Sequence, residues 1–178
     1  AQLVNQKFFG RTFMRSVLLF PYVGPVVALA YTWELLLDPY SGTLNNLLMN
    51  FQVIQEPLNL LGQKYLTINF FGFDLKLRLA LTTVIIFEIW RYFPLAFLFI
   101  LARLQAVPKE LYEAAEVDGA GPLQKFINIT LPQITAVISI LFMIRFIWNF
   151  NKFEDIFLLT GGASGTRTLP INVYEQGF

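Results

Sequence analysis

Three stretches of this chain are each long and apolar enough to cross a bilayer, which limits its possible folds more than any motif does. A hydrocarbon core about 30 Å thick needs about 20 consecutive, mostly apolar residues in a helix. The first stretch covers residues 14–37 and carries no charge from Ser16 to Trp33. The second covers 79–101 and is interrupted by Glu88 and Arg91. The third covers 132–152, lies in a region uncharged from Phe126 to Ile144, and is then broken by Arg145. Pro21, Pro25 and Pro94 fall inside these runs, which membrane helices tolerate where neighbours satisfy the freed carbonyls. Three full-length runs in 178 residues predict an all-α integral membrane bundle rather than the buried helices of a soluble protein.

Composition excludes several functions. Charged residues make up 14% of the chain, against about 25% in a typical soluble domain. The net charge of +1 gives no electrostatic footprint for nucleic acid. Histidine, the commonest general base and metal ligand, is absent, and so is cysteine with its disulfide and thiolate chemistry. No catalytic residues, metal ligands or cofactor are therefore expected in this chain. The first residues, Ala-Gln-Leu-Val-Asn-Gln-Lys, do not read as a signal peptide. Gly161-Gly162-Ala163-Ser164-Gly165-Thr166 is glycine-rich but lacks the Gly-Lys-Ser/Thr that cradles phosphate, so it reads as a turn.

Between the second and third runs lies a polar segment, 103–131, that reads as a short helical hairpin. Val107-Pro108 opens a helix whose first half carries Glu110, Glu113 and Glu116 toward the positive end of its dipole. Ala114 and Ala115 form helix readily and leave room for another protein surface. Gly119 is free to adopt positive φ where that helix stops, Gly121-Pro122 starts a second short helix, and Leu131-Pro132 ends the loop. In the segment 38–78, Leu44, Leu47, Leu48, Phe51 and Ile54 recur at helical spacing, predicting a helix on the membrane surface or across a pore mouth. The run Tyr65–Phe71 reads as extended.

Charges at membrane depth cost several kcal/mol and normally face protein, water or a ligand. Glu88, Arg91, Tyr92 and Leu95 fall at i, i+3, i+4 and i+7 on the second run; Arg145, Trp148, Asn149 and Lys152 repeat those offsets on the third. Each set is one stripe on a helix, and two facing stripes would line a polar path. The alternative is a set of interhelical salt bridges, such as Glu88 with Arg145, with no ligand.

The hairpin letters Glu113-Ala114-Ala115, Gly119, Ile129, Leu131 and Pro132 resemble the cytoplasmic "EAA" loop of permease subunits of binding-protein-dependent ABC importers. Most of the chain resembles the larger permease of carbohydrate importers of the maltose and glycerol-phosphate type. The pieces that carry this are Arg15–Tyr22, Gly42–Leu48, Trp90 with Pro94, Val107–Ala114, Asp118–Pro122, and Trp148–Phe153 followed by Leu158–Gly162. The resemblance implies that Glu113, Ala114, Ala115 and Gly119 couple to ATPases. It also implies that the sugar is held midway across the membrane by Glu88, Arg91, Tyr92, Leu95, Arg145, Trp148, Asn149 and Lys152.

The implied partners are a second permease subunit, two ATP-binding cassette ATPases, an extracytoplasmic solute-binding protein, a saccharide and the lipid bilayer. The subunit itself is then no enzyme, and its place is the cytoplasmic membrane of a bacterium or archaeon, crossed several times. Such permeases have a five-helix core, so the chain is expected to be part of a longer subunit. Charge hardly orients it: Lys7, Arg11, Arg15, Arg103, Lys109 and Lys125 stand on one side, Lys64, Lys76, Arg78, Lys152 and Arg167 on the other. The resemblance places 1–13 and 103–131 in the cytoplasm, and 38–78 with the C-terminal tail outside. The stripes carry Arg91, Arg145 and Lys152 against Glu88, with Glu154 and Asp155 just beyond and able to neutralise Lys152, so an acidic saccharide or sugar phosphate stands beside a neutral one. Two rivals remain at this level, a secondary transporter with Glu88 as proton carrier and a scaffold whose charges only join helices.

Overall fold

The computed structural model describes residues 9–70 and 73–177. In chain order it has α1 (Arg11–Val23), α2 (Val26–Leu37), α3 (Thr43–Asn50), the strands β1 (Leu66–Phe70) and β2 (Phe73–Leu77), then α4 (Leu79–Gln105). There follow α5 (Lys109–Val117), α6 (Pro122–Lys125), a π-helical turn (Phe126–Thr130), α7 (Leu131–Phe150), α8 (Glu154–Thr160) and α9 (Leu169–Gly177). Two continuous helical stretches, Leu79–Gln105 and Pro122–Phe150, are long and apolar enough to cross a membrane. The pair either side of Gly24–Pro25 passes the same test only if counted as one broken span.

The first predicted run, 14–37, is thus two helices. Pro21 sits inside α1, whereas Pro25 precedes α2, where a fixed φ suits a helix start. Pro94 is buried inside α4. The second run extends beyond the expected 101 to Gln105. The third stops short of the expected 152, at Phe150, and gives way to α8, whose Glu154 and Asp155 occupy the favourable first turn.

The chain divides into two compact units. One comprises residues up to Val23 together with Tyr92–Trp148. Its buried apolar residues are Phe97, Leu101, Leu104 and Val107 from α4 and the turn beyond, with Ile134 and Leu141 from α7. Along the same α7 the large side chains of Phe142, Met143, Phe146 and Ile147 are exposed by 55–69%, far more apolar surface than a water-soluble helix shows.

The other unit comprises Gly24–Arg91 and Asn149 onward. Leu29 and Ala30 of α2, Val84 and Phe87 of α4, Ile156 and Leu159 of α8 and Ile171 of α9 form its core, with Trp33 and Trp90 packed against it. Phe87 has no exposed surface and meets Trp33 edge to face at 5.2 Å, an aromatic geometry that adds about 0.5–1.5 kcal/mol to burial. Gly162, at φ +79°, lies so close to Ile171 that a Cβ there would stand 2.8 Å from its Cγ2.

The segment between α2 and α4 is ordered by a polar residue. α3 starts near the predicted repeat but ends at Asn50, with Gln52 at φ 55° and the Val53 amide turned back to the Leu48 carbonyl, so Ile54 is outside it. Its buried member is Asn45, whose amide donates to the carbonyls of Asp38, Pro39 and Leu58 while its oxygen accepts from the Leu58 amide. Leu44, Leu47 and Phe51 are exposed. The Asp38 carboxylate accepts from the amide and hydroxyl of Ser41 and from the Tyr40 amide, which holds it below the usual carboxylate range. The extended run is found as β1, paired antiparallel with β2 from Leu66↔Leu77 to Phe70↔Phe73; Phe71 lies outside the described residues.

Candidate functional site: a docking hairpin and a buried charge cluster

The hairpin between the two long helical stretches belongs to the first unit. Pro108 caps α5 with Glu110 in its first turn, and no residue of α5 is buried, so Glu113 and Ala114 are exposed and Ala115 is half-buried. The helix closes when the Gly119 amide reaches the Glu116 carbonyl and the Ala120 amide that of Ala115, which requires φ +76° at Gly119. Only glycine adopts that conformation without strain. α6 begins at Pro122, with the Gln124 side chain accepting from the Gly121 amide at 2.8 Å.

Leu131-Pro132 does not end the hairpin as the sequence suggested; helix continues from Pro122 to Phe150 through it. The reason is the π turn ahead of it, where the Leu131 amide reaches back five residues to the Phe126 carbonyl. A widened turn shifts the hydrogen-bond register, so the missing proline amide falls where the ladder is already rearranged.

Two contacts that sequence reasoning missed fasten the hairpin at its base. Arg103, near the end of α4, donates from Nε to the Gln133 backbone carbonyl at 3.0 Å and from Nη2 to its side-chain oxygen. Tyr112 of α5 meets the hydroxyl of fully buried Thr130 at 3.0 Å. On the surface, Lys125 pairs with Glu116 at 2.6 Å. The spacing of 18 residues between Tyr112 and Thr130 carries no sequence signal; only the turn at Gly119 brings them together.

The predicted solute stripes are divided between the units. In the first, the Arg145 guanidinium lies over the Tyr92 ring, 3.9 Å from its centroid, and Tyr22 meets the same ring edge-on at 6.2 Å. Tyr22 was not anticipated. Leu95 is half-buried, and Trp148 is 43% exposed.

In the second unit, Lys152 pairs with Glu88 at 3.1 Å and also with Asp155, and Asp155 in turn pairs with Arg91. These side chains keep between 3% and 15% of their surface. Of the charges expected on the stripes, then, Glu88, Arg91 and Lys152 meet Asp155, which pairs with Lys152 as the sequence allowed and also with Arg91, which the sequence did not indicate. Lys152 lies beyond α7 in the turn to α8, so the second stripe does not continue on one helix to its end. Its amide contacts the Asn149 carbonyl at 3.4 Å and its carbonyl accepts from Thr168, while the Asn149 side chain is exposed. Lys152 and Asp155 stand three residues apart, which is the sequence signal that was available.

Residues 1–177 match the family of the binding-protein-dependent transport system inner membrane component. The chain belongs to that family. It is 38% identical over its whole length to the inner membrane ABC transporter permease protein YcjO of Escherichia coli, covering 56% of that protein. It is 33% identical, over 99% of its length, to the trehalose/maltose transport system permease protein MalF of Thermococcus litoralis, covering 57% of it. A structure of a bacterial ABC transporter involved in the import of the acidic polysaccharide alginate contains a chain with the same fold. It matches at a TM-score of 0.71 and 21% identity, over 99% of this chain and 58% of that one. The chain thus spans a little over half the length of the relatives it matches.

Proposed function

We propose, from that membership, that the chain is the membrane-pathway part of an ATP-driven importer that takes up a saccharide. The observation that carries the reading is the exposed hairpin Lys109–Lys125, turned by Gly119 at φ +76° and set between two helical stretches long enough to cross a membrane. Such an element offers a rigid, small-residue surface for a second protein, and a scaffold or a secondary transporter driven by Glu88 has no use for it. The relatives named for sugar transport support the solute class. In this reading the hairpin faces the cytoplasm, where Glu113, Ala114 and Ala115 meet an ATPase subunit. A second permease subunit completes the pathway, and a solute-binding protein delivers the saccharide from the other side.

The tyrosine and arginine of the first unit suit a sugar. An aromatic face covers the apolar side of a pyranose ring, and a guanidinium donates to hydroxyls in a fixed fork. Trp148 adds an exposed ring to the same unit. The test is reconstitution of the full-length subunit with its partner permease, ATPases and binding protein in liposomes. Saccharide uptake that needs both ATP and the binding protein is expected. Uptake driven by a proton gradient without ATPases would overturn the reading.

A further inference from the structure

We propose that the Tyr112 hydroxyl is the link through which the docking helix α5 moves the membrane span α7. The inference rests on the transport reading above, in which an ATPase subunit meets the hairpin, and names the contact that carries its movement inward. Helix runs from Pro122 to Phe150, but not uniformly: Phe126–Thr130 is π-helical, with the Leu131 amide bonded to the Phe126 carbonyl. Pro132 follows at once and has no amide to give to the carbonyl of Asn128, four residues back. A widened turn beside a missing rung is where a helix bends most easily, so the π turn is a joint between α6 and the span proper.

α5 holds this joint at both ends, and the two holds differ in kind. Just ahead of the joint Glu116 pairs with Lys125 at 2.6 Å, but the Glu116 side chain is 65% exposed, so water and salt weaken the pair. At its last residue, Thr130 is 1% exposed and its hydroxyl meets that of Tyr112 at 3.0 Å. Thr32, Thr83, Thr135 and Thr160 each donate to the carbonyl four residues earlier in the chain. Thr130 turns to another helix instead, and the carbonyl four residues before it, that of Phe126, already accepts from Leu131. A buried hydroxyl stripped of its partner is costly, so Thr130 follows Tyr112 when α5 shifts. Three residues further on, Arg103 holds Gln133 by backbone and side chain, which ties the far side of the joint to α4. Movement of Tyr112 therefore reaches the two long helices together. Tyr112 acts here through Thr130 and is a positioning residue.

The test is amide hydrogen exchange in the full-length transporter, assembled with its partner permease and ATPases in liposomes, with and without a nonhydrolysable ATP analogue. In the wild type the analogue is expected to change exchange both in α5, over 109–117, and in the first turns of α7, over 133–140. Tyr112→Phe and Thr130→Val each remove one hydroxyl and little else. Each should keep the response in α5 and weaken that in α7 by about fivefold, a split that a merely structural role would not produce. The double variant should be no worse than either single one, and Thr130→Ser, which keeps the hydroxyl, should respond as the wild type does. An undiminished α7 response in both single variants, losses that add in the double variant, or loss of the α5 response or of ATPase binding along with that of α7 would each overturn the proposal and leave the transport reading standing. A wild-type assembly whose hairpin does not respond to the analogue at all would overturn both.

Discussion

Replacing Gly119 isolates one physical quantity in the hairpin, the cost of positive φ. At this residue φ is +76°, and a Cβ built on the backbone meets nothing within 4 Å. Steric collision therefore contributes nothing, and the penalty for a side chain reduces to the backbone conformation itself. That conformation costs an L-residue about 1–2 kcal/mol, least for asparagine and most for a β-branched residue. A loss of about 1 kcal/mol in Gly119→Ala lowers the population of the correctly turned hairpin roughly fivefold against its alternatives. Gly119→Val should lose more, and Gly119→Asn only a small part. In a reconstituted transporter, solute-stimulated ATP hydrolysis should then fall in the order Gly, Asn, Ala, Val, while the subunit still inserts into membranes. Wild-type stimulation in Gly119→Val would refute the reasoning. Asparagine as damaging as valine would do so too, because it would place the cost in side-chain volume, where the structure has open space.

Asn45→Ala removes the partner of three carbonyls and one amide inside the unit that holds it, at about 1 kcal/mol for each good bond and less for the 3.3 Å pair. A destabilisation of about 2–4 kcal/mol in thermal or denaturant unfolding in micelles is expected, and one under about 0.5 kcal/mol would show the network to be inert. Arg103→Lys keeps the charge but not the two-pronged hold on Gln133, so amide exchange across 106–130 should quicken by about fivefold to tenfold. Unchanged exchange there would remove Arg103 as the fastener. Asp38 has its folded pKa depressed by the hydrogen bonds from Ser41 and Tyr40. Its contribution is complete above the unfolded carboxylate pKa of about 3.9 and is lost as pH falls through the folded value. Observed by NMR, the Asp38 carboxyl should titrate below the usual range, and Ser41→Ala should move it back up.

Much of the fold was legible because a bilayer-length apolar run leaves a chain few choices. α4 and α7 fall where hydrophobicity alone puts them. The failures are those of proline, whose effect depends on what precedes it. Pro25 splits the first run because it stands just ahead of a helix start, while Pro94 is absorbed within α4, and Pro132 is carried past by a π turn that no residue type announces. In the segment 38–78 the helix and the extended run are where the sequence put them, and only the helix's end and its buried residue differ. Helical spacing of Leu44, Leu47, Leu48 and Phe51 predicted which residues share a face, and α3 is there, but the face packed inward belongs to Asn45. In a membrane protein, apolar residues have an apolar solvent available, so burial goes to the side chain that can satisfy backbone groups.

The same reversal explains the charge cluster. Periodicity finds residues that share one helix, and it assembled Glu88, Arg91 and Tyr92 correctly on α4. It cannot see that the helix carrying Arg145 and Asn149 ends at Phe150, or that a new one begins at Glu154 and brings Asp155 back to Arg91. The nearness of Asp155 to Lys152 in sequence made their pair foreseeable, whereas its second pair, with Arg91, spans 64 residues and was not. The hairpin behaves in the opposite way. Its shape depends on local chemistry alone: a proline at the start, Glu110 in the first turn, a glycine at positive φ and a glutamine that caps the next turn. Each acts within about five residues of itself, so that geometry could be written from the sequence. The bonds of Arg103 to Gln133 and of Tyr112 to Thr130 could not, since they span 30 and 18 residues and exist only once that geometry has formed.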